Sequence, residues 1–377
     1  MQLADLETPA LIADRQRIEG NARRMREHLR THDVDLRPHL KTTKCSEIAR
    51  IAHGGERGPG TVSTLREAEY FLDNGFTDLT YAVCITPNKF RHVTDLMERG
   101  LDLKVLVASA RMAGELVAFA ADRAAPVKVM VEVDCGDHRT GFAPDDAELV
   151  EAALILDTGD GVEFAGLLTH GGHSYGARSE EDIQQIAEEE RGSLLEARER
   201  LTEAGIDTPM LSSGSTPTAM LGNNFEDLSE VRPGVYLAGD LFQMQLGTCG
   251  FDDIAVTVLS SVIAHDRASG RVVLDAGGLA LSKDRSTEHA PVDYGFGLLV
   301  REDGTPFEQE LVVRGVSQEH GVVTSGQPMP FAELPIGSRV RVLPNHVCMT
   351  AASYDRYYVT DGIGTEIADE WHKASGW

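Results

Sequence analysis

The sequence has little positive charge for its length. Its 377 residues include 35 lysines and arginines against 60 aspartates and glutamates, which gives a formal net charge of −25. Nucleic acids and anionic membranes repel such an acidic surface, so the composition argues against both as partners. The hydrophobic fraction of 42% and the charged fraction of 25% are those of an ordinary globular protein.

Cysteine is also scarce, and long hydrophobic runs are absent. The five cysteines form no CxxC pair, and their odd number argues against the disulfide framework of a secreted protein. The amino terminus lacks a basic segment followed by an apolar one, so no signal peptide is expected. No stretch approaches the roughly 18 unbroken apolar residues of a transmembrane helix. These absences predict a cytoplasmic protein.

No glycine-rich dinucleotide-binding turn follows any early strand, and the chain has no internal repeat. It shows instead an alternation of short apolar segments with amphipathic ones. Strands are predicted at residues 34–37, 61–63, 79–83, 103–107, 127–133, 164–169, 209–213 and 230–236. Helices are predicted at 14–31, 46–53, 115–124, 147–156 and 180–203, with another beginning at Thr64. The strongly charged helix at 180–203 is interpreted as solvent-facing.

This alternation predicts an α/β fold with a (β/α)8 barrel at residues 14–246. The alternative is an open, doubly wound sheet, which the missing dinucleotide turn disfavours. From about residue 247 the apolar segments are short, rich in valine and separated by glycine or proline. They predict a second, all-β domain formed by residues 1–13 and 247–377. Its strands are expected at 254–264, 271–274, 311–316, 339–343 and 357–360.

Lys41 lies just beyond the first predicted barrel strand. Residues 34–37 alternate apolar and charged side chains, and Pro38 lacks a backbone donor, which predicts that strand pairing ends there. Barrel enzymes keep their chemistry at the carboxyl ends of their strands. A lysine that is partly withdrawn from water there can lose its proton and attack a carbonyl carbon. The alternative is a surface lysine beside a turn.

The later predicted strands also end in small and polar residues. The segments 134–141, 170–175, 212–218 and 232–236 lie at the carboxyl ends of the fifth to eighth strands. Loops after the last two strands of a barrel commonly bind phosphate, and a Ser/Gly/Thr loop offers many donors with little bulk. The alternative is that this loop is only a turn. A lysine that reacts with carbonyls and a phosphate site in one barrel together suggest pyridoxal phosphate.

His346 and Cys348 are the notable pair in the β-rich part. On an extended segment, residues two apart face the same side, so both side chains are expected to reach one metal ion. Imidazole and thiolate together select a borderline-soft ion, zinc above all. A catalytic ion would need water or substrate oxygen as further ligands. The alternative is a buried structural pair.

These residues occur within motifs that follow one another in the order of a known family. The sequence resembles the metal-dependent, fold-type III pyridoxal-phosphate enzymes that group D-serine dehydratase, D-threo-3-hydroxyaspartate dehydratase and D-threonine aldolase. The resemblance covers nearly the whole chain and implies an alanine-racemase-like barrel with a C-terminal β domain, as a homodimer. The motifs are Thr8-Pro9-Ala10 with Asp14, Arg37-Pro38-His39-Leu40-Lys41-Thr42, Gly214-Ser215-Thr216-Pro217-Thr218, Arg232-Pro233-Gly234-Val235-Tyr236, Asp275-Ala276-Gly277, Gln318-Glu319-His320-Gly321 and Pro344-Asn345-His346-Val347-Cys348.

The resemblance also implies roles for single residues. Lys41 matches the lysine that forms the Schiff base, and Arg139 matches the arginine beside the phenolic oxygen of the cofactor. His346 and Cys348 match the metal pair, with zinc expected ahead of manganese or magnesium. Further cofactor contacts are expected at His170, Tyr175, Ser215, Thr216, Gly234 and Tyr236, and substrate contacts at Gln318 and His320.

Two reactions are compatible with these residues. In a dehydratase, Lys41 would take the α-proton of a β-hydroxy D-amino acid and the metal would help the hydroxyl leave, giving a 2-oxo acid and ammonia. In an aldolase, a second base would deprotonate that hydroxyl, giving glycine and an aldehyde. Cys348 and the segment 281–285 resemble the dehydratases, whereas His173 is placed either as an aldolase base or as a loop histidine that orders Tyr175 or water. We predict β-elimination on D-serine or D-threo-3-hydroxyaspartate, with aldolase activity as the alternative.

Other classes are a non-catalytic pyridoxal-phosphate carrier and a racemase. A carrier would resemble only the N-terminal half and would need no metal pair. A racemase would need a second acid/base group on the opposite face of the ring, and no tyrosine is clearly placed for that role. A substrate with a second carboxylate would need an extra cation, for which Lys283 and Arg285 are the candidates. The sequence identifies no partner for the pyridine nitrogen.

Overall fold

The structure is a computed structural model that describes all 377 residues. They form two compact units. The β unit contains residues 1–24, 42–54 and 235–376, and the barrel unit contains residues 25–41 and 55–234 together with Trp377. No helix combines the length and apolar character needed to cross a membrane.

The secondary structure alternates strands and helices up to about residue 245 and consists mainly of strands after it. The strands are β1 (Ala10–Asp14), β2 (Asp35–Leu36), β3 (Gly60–Val62), β4 (Asp78–Cys84), β5 (Asp102–Val107), β6 (Val127–Glu132), β7 (Val162–Leu168), β8 (Leu211–Ser213), β9 (Glu230–Val231), β10 (Val256–Asp266), β11 (Arg271–Leu274), β12 (Leu298–Arg301), β13 (Leu311–Val316), β14 (Gly321–Ser325), β15 (Arg339–Leu343), β16 (Arg356–Thr360) and β17 (Asp369–His372). The helices are α1 (Arg15–Thr31), α2 (Ser46–Ala52), α3 (Leu65–Asp73), α4 (Pro87–Glu98), α5 (Ala110–Ala120), α6 (Ala147–Thr158), α7 (Glu180–Glu203), α8 (Thr216–Leu221), α9 (Leu241–Gln245), α10 (Gly278–Leu281) and α11 (Val347–Ala351).

The barrel unit is built on eight parallel strands in the order β2-β9-β8-β7-β6-β5-β4-β3. The two end strands are joined by backbone bonds just beyond β2, because Leu40 N donates to Thr61 O at 2.8 Å and Thr61 N donates to Pro38 O at 2.9 Å. These bonds close the sheet into a ring. Each of the eight predicted barrel strands is present, and the predicted fold class is confirmed.

Two local predictions in the barrel unit are wrong. Pro38 does not end strand pairing, because the chain stays extended and His39 N donates to Pro233 O at 2.8 Å. The helix predicted at 115–124 is α5, which begins earlier, since the Ser109 side chain caps it by accepting from Met112 N at 3.1 Å. Hydrophobic periodicity finds a helix but locates its ends poorly, because capping decides where a helix begins.

A buried ion-pair network fills part of the barrel interior. Arg37 Nε donates to Glu230 Oε2 at 2.6 Å, and both guanidinium Nη atoms bond Asp78, at 2.8 and 3.1 Å. Lys104 Nζ adds a bond to Asp78 at 3.0 Å. Burial lowers the pKa of Arg37, but the charge of Glu230 and the bonds from Asp78 outweigh it and raise that pKa overall. Arg37 and Glu230 are both buried, so removing one of these two would leave a buried charge unpaired at a cost of about 3–5 kcal/mol, whereas Asp78 is partly exposed.

The β unit contains an antiparallel barrel and an added sheet edge. Strands β10, β11, β14, β13, β12 and β15 follow one another around a ring, because β10 pairs with both β11 and β15. Strand β1 continues the sheet beyond β10, followed by β16 and β17. The predicted C-terminal strands correspond to β10, β11, β13, β15 and β16, whereas β1, β12, β14 and β17 were not predicted.

Candidate active site

The barrel unit encloses a cavity of about 360 Å³ at the carboxyl ends of its strands. This volume lies within the range of small-molecule sites in proteins. Lys41, which is exposed, lines the cavity together with Arg139 and His170, so the structure brings these three predicted residues together. The remaining lining residues are His39, Ser63, Ala82, Val83, Cys84, Glu132, Thr140, Leu168, Gly214 and Arg232.

The two cavity histidines are buried beside cations. Burial, followed by the charges of Lys41 and Arg139, lowers the pKa of His170 to about 3. Burial, followed by the charges of Lys41 and Arg232, holds the pKa of His39 well below its ordinary value. Both rings are therefore neutral near pH 7, and they act as hydrogen-bonding or stacking surfaces rather than as cations.

Arg232 is fixed by a chain of buried hydrogen bonds. Its Nη1 donates to Ser212 Oγ at 2.6 Å, and its Nη2 donates to the carbonyl of Thr169. Ser212 Oγ in turn donates to Glu230 Oε1 at 2.6 Å. Burial lowers the pKa of Arg232 to about 10, which leaves the guanidinium charged at neutral pH. The cavity therefore keeps a rigid positive charge in its wall.

The net charge of the cavity wall is positive, in contrast to the acidic chain as a whole. Lys41, Arg139 and Arg232 are opposed by the single carboxylate of Glu132, which lies 3.8 Å from Arg139. Cys84 donates to that carboxylate at 2.9 Å, and burial followed by the charge of Glu132 raises the pKa of its thiol, so the thiol stays protonated. Such a wall suits an anionic ligand.

The loop after β8 forms a close-packed turn next to the cavity. Gly214 has a φ of +103°, and a side chain there would put its Cβ 3.0 Å from Arg232 N. Ser215 is buried and caps α8 by accepting from Thr218 N at 3.2 Å. Thr216 Oγ1 accepts from Gly234 N at 3.2 Å. Three residues predicted around the cofactor, Ser215, Thr216 and Gly234, thus belong to one packed loop system beside the lining residue Gly214.

The other predicted residues of the barrel loops lie elsewhere. His173 does not line the cavity; its Nε2 lies 3.4 Å from Glu189, and its Nδ1 is buried without a hydrogen-bond partner. Tyr175 is half-buried in the same 3₁₀ turn, Gly172–Gly176. Tyr236 is buried in the 3₁₀ turn Val235–Leu237 and belongs to the β unit. Their proposed roles stay predictions.

The β unit brings His346 and Cys348 together, but not on an extended segment. His346 is the extended residue that precedes α11, and Cys348 lies in the first turn of that helix. The prediction of an extended pair is therefore wrong. The two side chains nevertheless hydrogen-bond each other. Asp240 sets the start of α11, since its buried carboxylate accepts from Val347 N at 3.0 Å.

The surroundings of His346 fit a metal-binding histidine. Its Nδ1 lies 2.6 Å from Asp284 Oδ2 and 3.4 Å from Ser286 Oγ, which directs Nε2 away from these partners. Metal-bound histidines commonly have a carboxylate on the second ring nitrogen. Thr42 Oγ1 lies 3.1 Å from Cys348 Sγ. No group of three or more His, Cys, Asp or Glu side chains is arranged to hold an ion, so this site offers two protein ligands and would need others from water or substrate.

The pKa of His346 follows the same surroundings. Burial lowers it, but hydrogen bonds with Asp284 and Cys348 outweigh burial and raise it to about 11. The hydrogen bond from His346 also lowers the pKa of Asp284. The pair is thus surrounded by negative or ionisable groups, which attract a cation.

The predicted substrate residues form an exposed turn in the β unit. Gln318 and His320 lie between β13 and β14, and Gln318 O accepts from Leu279 N at 3.2 Å. Leu279 belongs to α10, which leads directly into the segment that holds Asp284. The turn is therefore connected through α10 to the partner of His346.

Sequence reasoning did not assign several residues that the structure makes important. Glu132 and Arg232 line the cavity. Glu132 lies near the carboxyl end of the predicted strand 127–133 and Arg232 directly follows β9, so their positions could have identified them. Asp284 could have been found within the segment 281–285 that resembles the dehydratases. Glu190 could not, because nothing in the pattern of α7 distinguishes it from its acidic neighbours.

The cavity also fits pyridoxal phosphate. It offers an amine at Lys41 for an aldehyde, and cations at Arg139 and Arg232 for the anionic oxygens. The loop at Gly214 approaches so closely that only glycine fits without displacement, as phosphate loops often require. The donor set and the charge of this site therefore agree with the predicted cofactor.

Comparison with known proteins gives full-length matches. A family model described as "Alanine racemase, N-terminal domain" matches residues 13–241, and one described as "Putative serine dehydratase domain" matches residues 255–360. The D-threo-3-hydroxyaspartate dehydratase of Delftia sp. is 36% identical over 100% of this chain and 99% of that protein. The D-serine dehydratase of Dictyostelium discoideum is 30% identical over 94% of this chain and 93% of that protein. The D-threonine aldolase of Arthrobacter sp. is 30% identical over 97% and 92%, respectively.

Solved structures agree with these matches. That of the D-threo-3-hydroxyaspartate dehydratase from Delftia sp. has a TM-score of 0.94 at 35% identity, covering 100% of both chains. A cysteine-to-alanine mutant of a D-threo-3-hydroxyaspartate dehydratase, described as the metal-free form, has a TM-score of 0.95 at 35% identity over 100% of both chains. This chain therefore belongs to the fold-type III pyridoxal-phosphate enzymes of the D-threo-3-hydroxyaspartate dehydratase, D-serine dehydratase and D-threonine aldolase family, with an alanine-racemase-like fold.

Proposed function

We propose that this lyase uses pyridoxal phosphate and a divalent metal to eliminate water from D-threo-3-hydroxyaspartate or D-serine. The observation that carries the choice of reaction is that Lys41 lines the barrel cavity, whereas His173 does not. A β-elimination needs one base at the α-carbon, and an aldol cleavage needs a base at the β-hydroxyl. The 36% identity to a D-threo-3-hydroxyaspartate dehydratase supports the same choice.

Lys41 would hold the cofactor through Nζ and, once released by the incoming substrate amine, take the proton from the substrate α-carbon. When bound, pyridoxal phosphate supplies an electron sink for that carbon, and the metal supplies a Lewis acid for the β-hydroxyl. Arg139 and Arg232 orient anionic groups, and the neutral rings of His39 and His170 leave the charge of the wall unchanged. Loss of water yields an enamine, which hydrolyses to the 2-oxo acid and ammonia.

His346 and Cys348 would hold the metal, with zinc as the favoured ion because imidazole and thiolate are soft ligands. The mutated histidine and cysteine in two descriptions of D-threo-3-hydroxyaspartate dehydratase mutants are two positions apart, as His346 and Cys348 are. Since the cysteine mutant is described as metal-free, this spacing supports the assignment. Asp284 would keep His346 in the tautomer that binds metal through Nε2.

One observation favours the aldolase as a second candidate. His173 Nδ1 is buried and has no hydrogen-bond partner, so this ring nitrogen is not engaged by another residue of the protein. The 30% identity to a D-threonine aldolase is consistent with this reading. His173→Ala distinguishes the two: an aldolase should lose at least about a hundredfold in rate, whereas a dehydratase that uses Lys41 should change little. Rates of product formation on the preferred substrate measure this.

The direct test is a product assay on the metal-supplemented holoenzyme. D-threo-3-hydroxyaspartate, D-serine and D-threonine are offered separately, and both product pairs are measured. We expect ammonia with oxaloacetate or pyruvate. Glycine together with an aldehyde would replace the proposal with the aldolase.

Of the two candidate cations for a second substrate carboxylate, we favour Lys283. Arg285 already pairs with Glu288 and with Asp293, each at 2.8 Å. Lys283 is exposed and adjoins Asp284, the partner of His346. Lys283→Met should lower kcat/KM for D-threo-3-hydroxyaspartate and leave that for D-serine unchanged.

The homodimer and the cytoplasmic location stay predictions.

A further inference from the structure

Glu190 is a buried carboxylate on a helix that otherwise presents acidic residues to solvent. It is 2% exposed, whereas its neighbour Glu189 is 44% exposed along its side chain. The charge pattern of α7 predicts a solvent-facing helix. Glu190 is an exception among its acidic side chains, because it is buried. A carboxylate withdrawn from water in this way requires compensating partners.

The partners of Glu190 are backbone amides of two cavity loops. Its Oε1 accepts from Gly171 N and, at 3.3 Å, from Gly214 N. Gly214 lines the cavity, and Gly171 directly follows the lining residue His170. A side chain at Gly171 would put its Cβ 2.8 Å from the Glu190 carboxyl carbon, so the contact requires glycine. One carboxylate thus joins the loop after β7 to the loop after β8.

Glu190 also sets the direction of a chain of hydroxyl groups. It accepts from the Thr218 side chain, and a carboxylate can only accept. Thr218 Oγ1 must then accept from Ser215 Oγ at 3.0 Å as well as from Ser215 N at 2.9 Å. Ser215 Oγ in turn accepts from Ser174 Oγ at 2.9 Å. The hydroxyl protons therefore all point toward Glu190, from Ser174 through Ser215 and Thr218.

Burial raises the pKa of Glu190 overall, although the bonds from Thr218, Gly171 and Gly214 and the charge of Arg232 lower it. The direction of the hydroxyl chain given above is that of the ionised carboxylate, which these donors and Arg232 compensate. Cys135 is another ionisable neighbour, and its thiol has its pKa raised by burial and, after that, by the charge of Glu190. The thiol therefore stays neutral.

We infer that Glu190 is a positioning residue for the cofactor: it locks the loops after β7 and β8 in the arrangement that receives the phosphate group. The inference rests on the proposed function, because it takes the cavity as the pyridoxal-phosphate site. In this arrangement the Ser215 hydroxyl donates its only proton to Thr218 Oγ1. Ser215 therefore contributes by holding the loop rather than by donating its hydroxyl to the phosphate.

Glu190→Gln tests the inference with almost no change in shape. The amide keeps one oxygen for Gly171 and Gly214 but turns a donor toward Thr218, which reverses the hydroxyl chain. We expect the Kd for pyridoxal phosphate, from absorbance titration of the apoprotein, to rise about tenfold. Glu199→Gln, an exposed change on the same helix, should leave it unchanged.

Thr218→Val provides a second route, since it removes the hydroxyl next to Glu190 and keeps the side-chain shape. It should raise the Kd to a similar extent, and the double variant should bind no more weakly than the weaker single one, because both interrupt one chain. Binding by Glu190→Gln within about twofold of wild type, with only the melting temperature of the apoprotein lowered, would overturn the inference. Failure of the wild-type apoprotein to bind pyridoxal phosphate would instead overturn the proposed function.

Discussion

Histidines in the two units have opposite proton affinities. In the barrel cavity, burial and the neighbouring cations lower the pKa of His170 to about 3 and hold that of His39 well below its ordinary value. In the β unit, burial is outweighed by Asp284 and Cys348, and the pKa of His346 is raised to about 11. Burial and neighbouring cations thus keep histidine neutral in the barrel unit. In the β unit, Asp284 and Cys348 favour a cation on His346, whether a proton or a metal ion.

The difference matches the ligand that we propose for each site. Lys41, Arg139 and Arg232 make the barrel cavity an anion site, although the chain carries a net charge of −25. Asp284 and Cys348 make the surroundings of His346 a cation site. Local charge, rather than net charge, therefore distinguishes the proposed cofactor site from the proposed metal site.

Loss of the cavity amine should have the largest effect. Lys41→Ala removes both the anchor of the cofactor and the proposed base, so activity should fall by about a thousandfold or more. The absorbance band of the Lys41-bound cofactor, at the short-wavelength edge of the visible range, should disappear as well. Lys128→Ala is the matched control, because Lys128 pairs with Asp102 at 2.9 Å and does not line the cavity. A cofactor band that persists in Lys41→Ala would remove Lys41 as the anchor.

The cation site of the β unit can be broken by Cys348→Ala. This variant should lose tightly bound metal, and its activity should fall about a hundredfold or more, because the Lewis acid is lost. Cofactor absorbance should remain, which separates the two sites. Metal content by elemental analysis, with Cys249→Ala as control, measures the effect. Full activity without metal would contradict the assignment.

The carboxylate behind His346 should have a smaller effect. Asp284→Asn keeps both metal ligands but weakens the orientation of the imidazole, so metal affinity should fall about ten- to a hundredfold. Competition with a chelator measures this affinity. Asp303→Asn is a suitable control, since Asp303 bonds Thr305 instead. Equal affinities in the two variants would mean that Asp284 does not support the site.

The neutral state of His170 should appear in the pH dependence of stability. Below about pH 6.5 this histidine is protonated in the unfolded chain, but in the folded chain it stays neutral down to about pH 3. The free energy of unfolding therefore falls as the pH falls through this window. From about pH 7.5 to about pH 5 the loss should be about 2 kcal/mol smaller in apo His170→Gln than in wild type. Urea unfolding at both pH values measures it, with the exposed His289 mutated as control. Equal losses in wild type and His170→Gln would contradict the lowered pKa.

The sequence predicts the barrel well because its strands are compact apolar segments separated by helices. In the β unit, β1, β12, β14 and β17 escape prediction because three or four residue pairs with another strand define each of them, not local periodicity. The motif around His346 and Cys348 identifies the pair but not its conformation, since α11 depends on Asp240, which lies more than a hundred residues earlier. Glu190 is beyond prediction for the same reason: its partners come from two other loops.

On this proposal the enzyme needs both an anionic cofactor in the barrel unit and a cation in the β unit. Release of ammonia and oxaloacetate from D-threo-3-hydroxyaspartate should be measured on one holoenzyme sample before chelation, after chelation and after zinc is restored. We predict that turnover stops on chelation while the cofactor absorbance remains, and that zinc restores turnover. Undiminished turnover in the metal-stripped sample would show that the reaction needs no metal at His346 and Cys348.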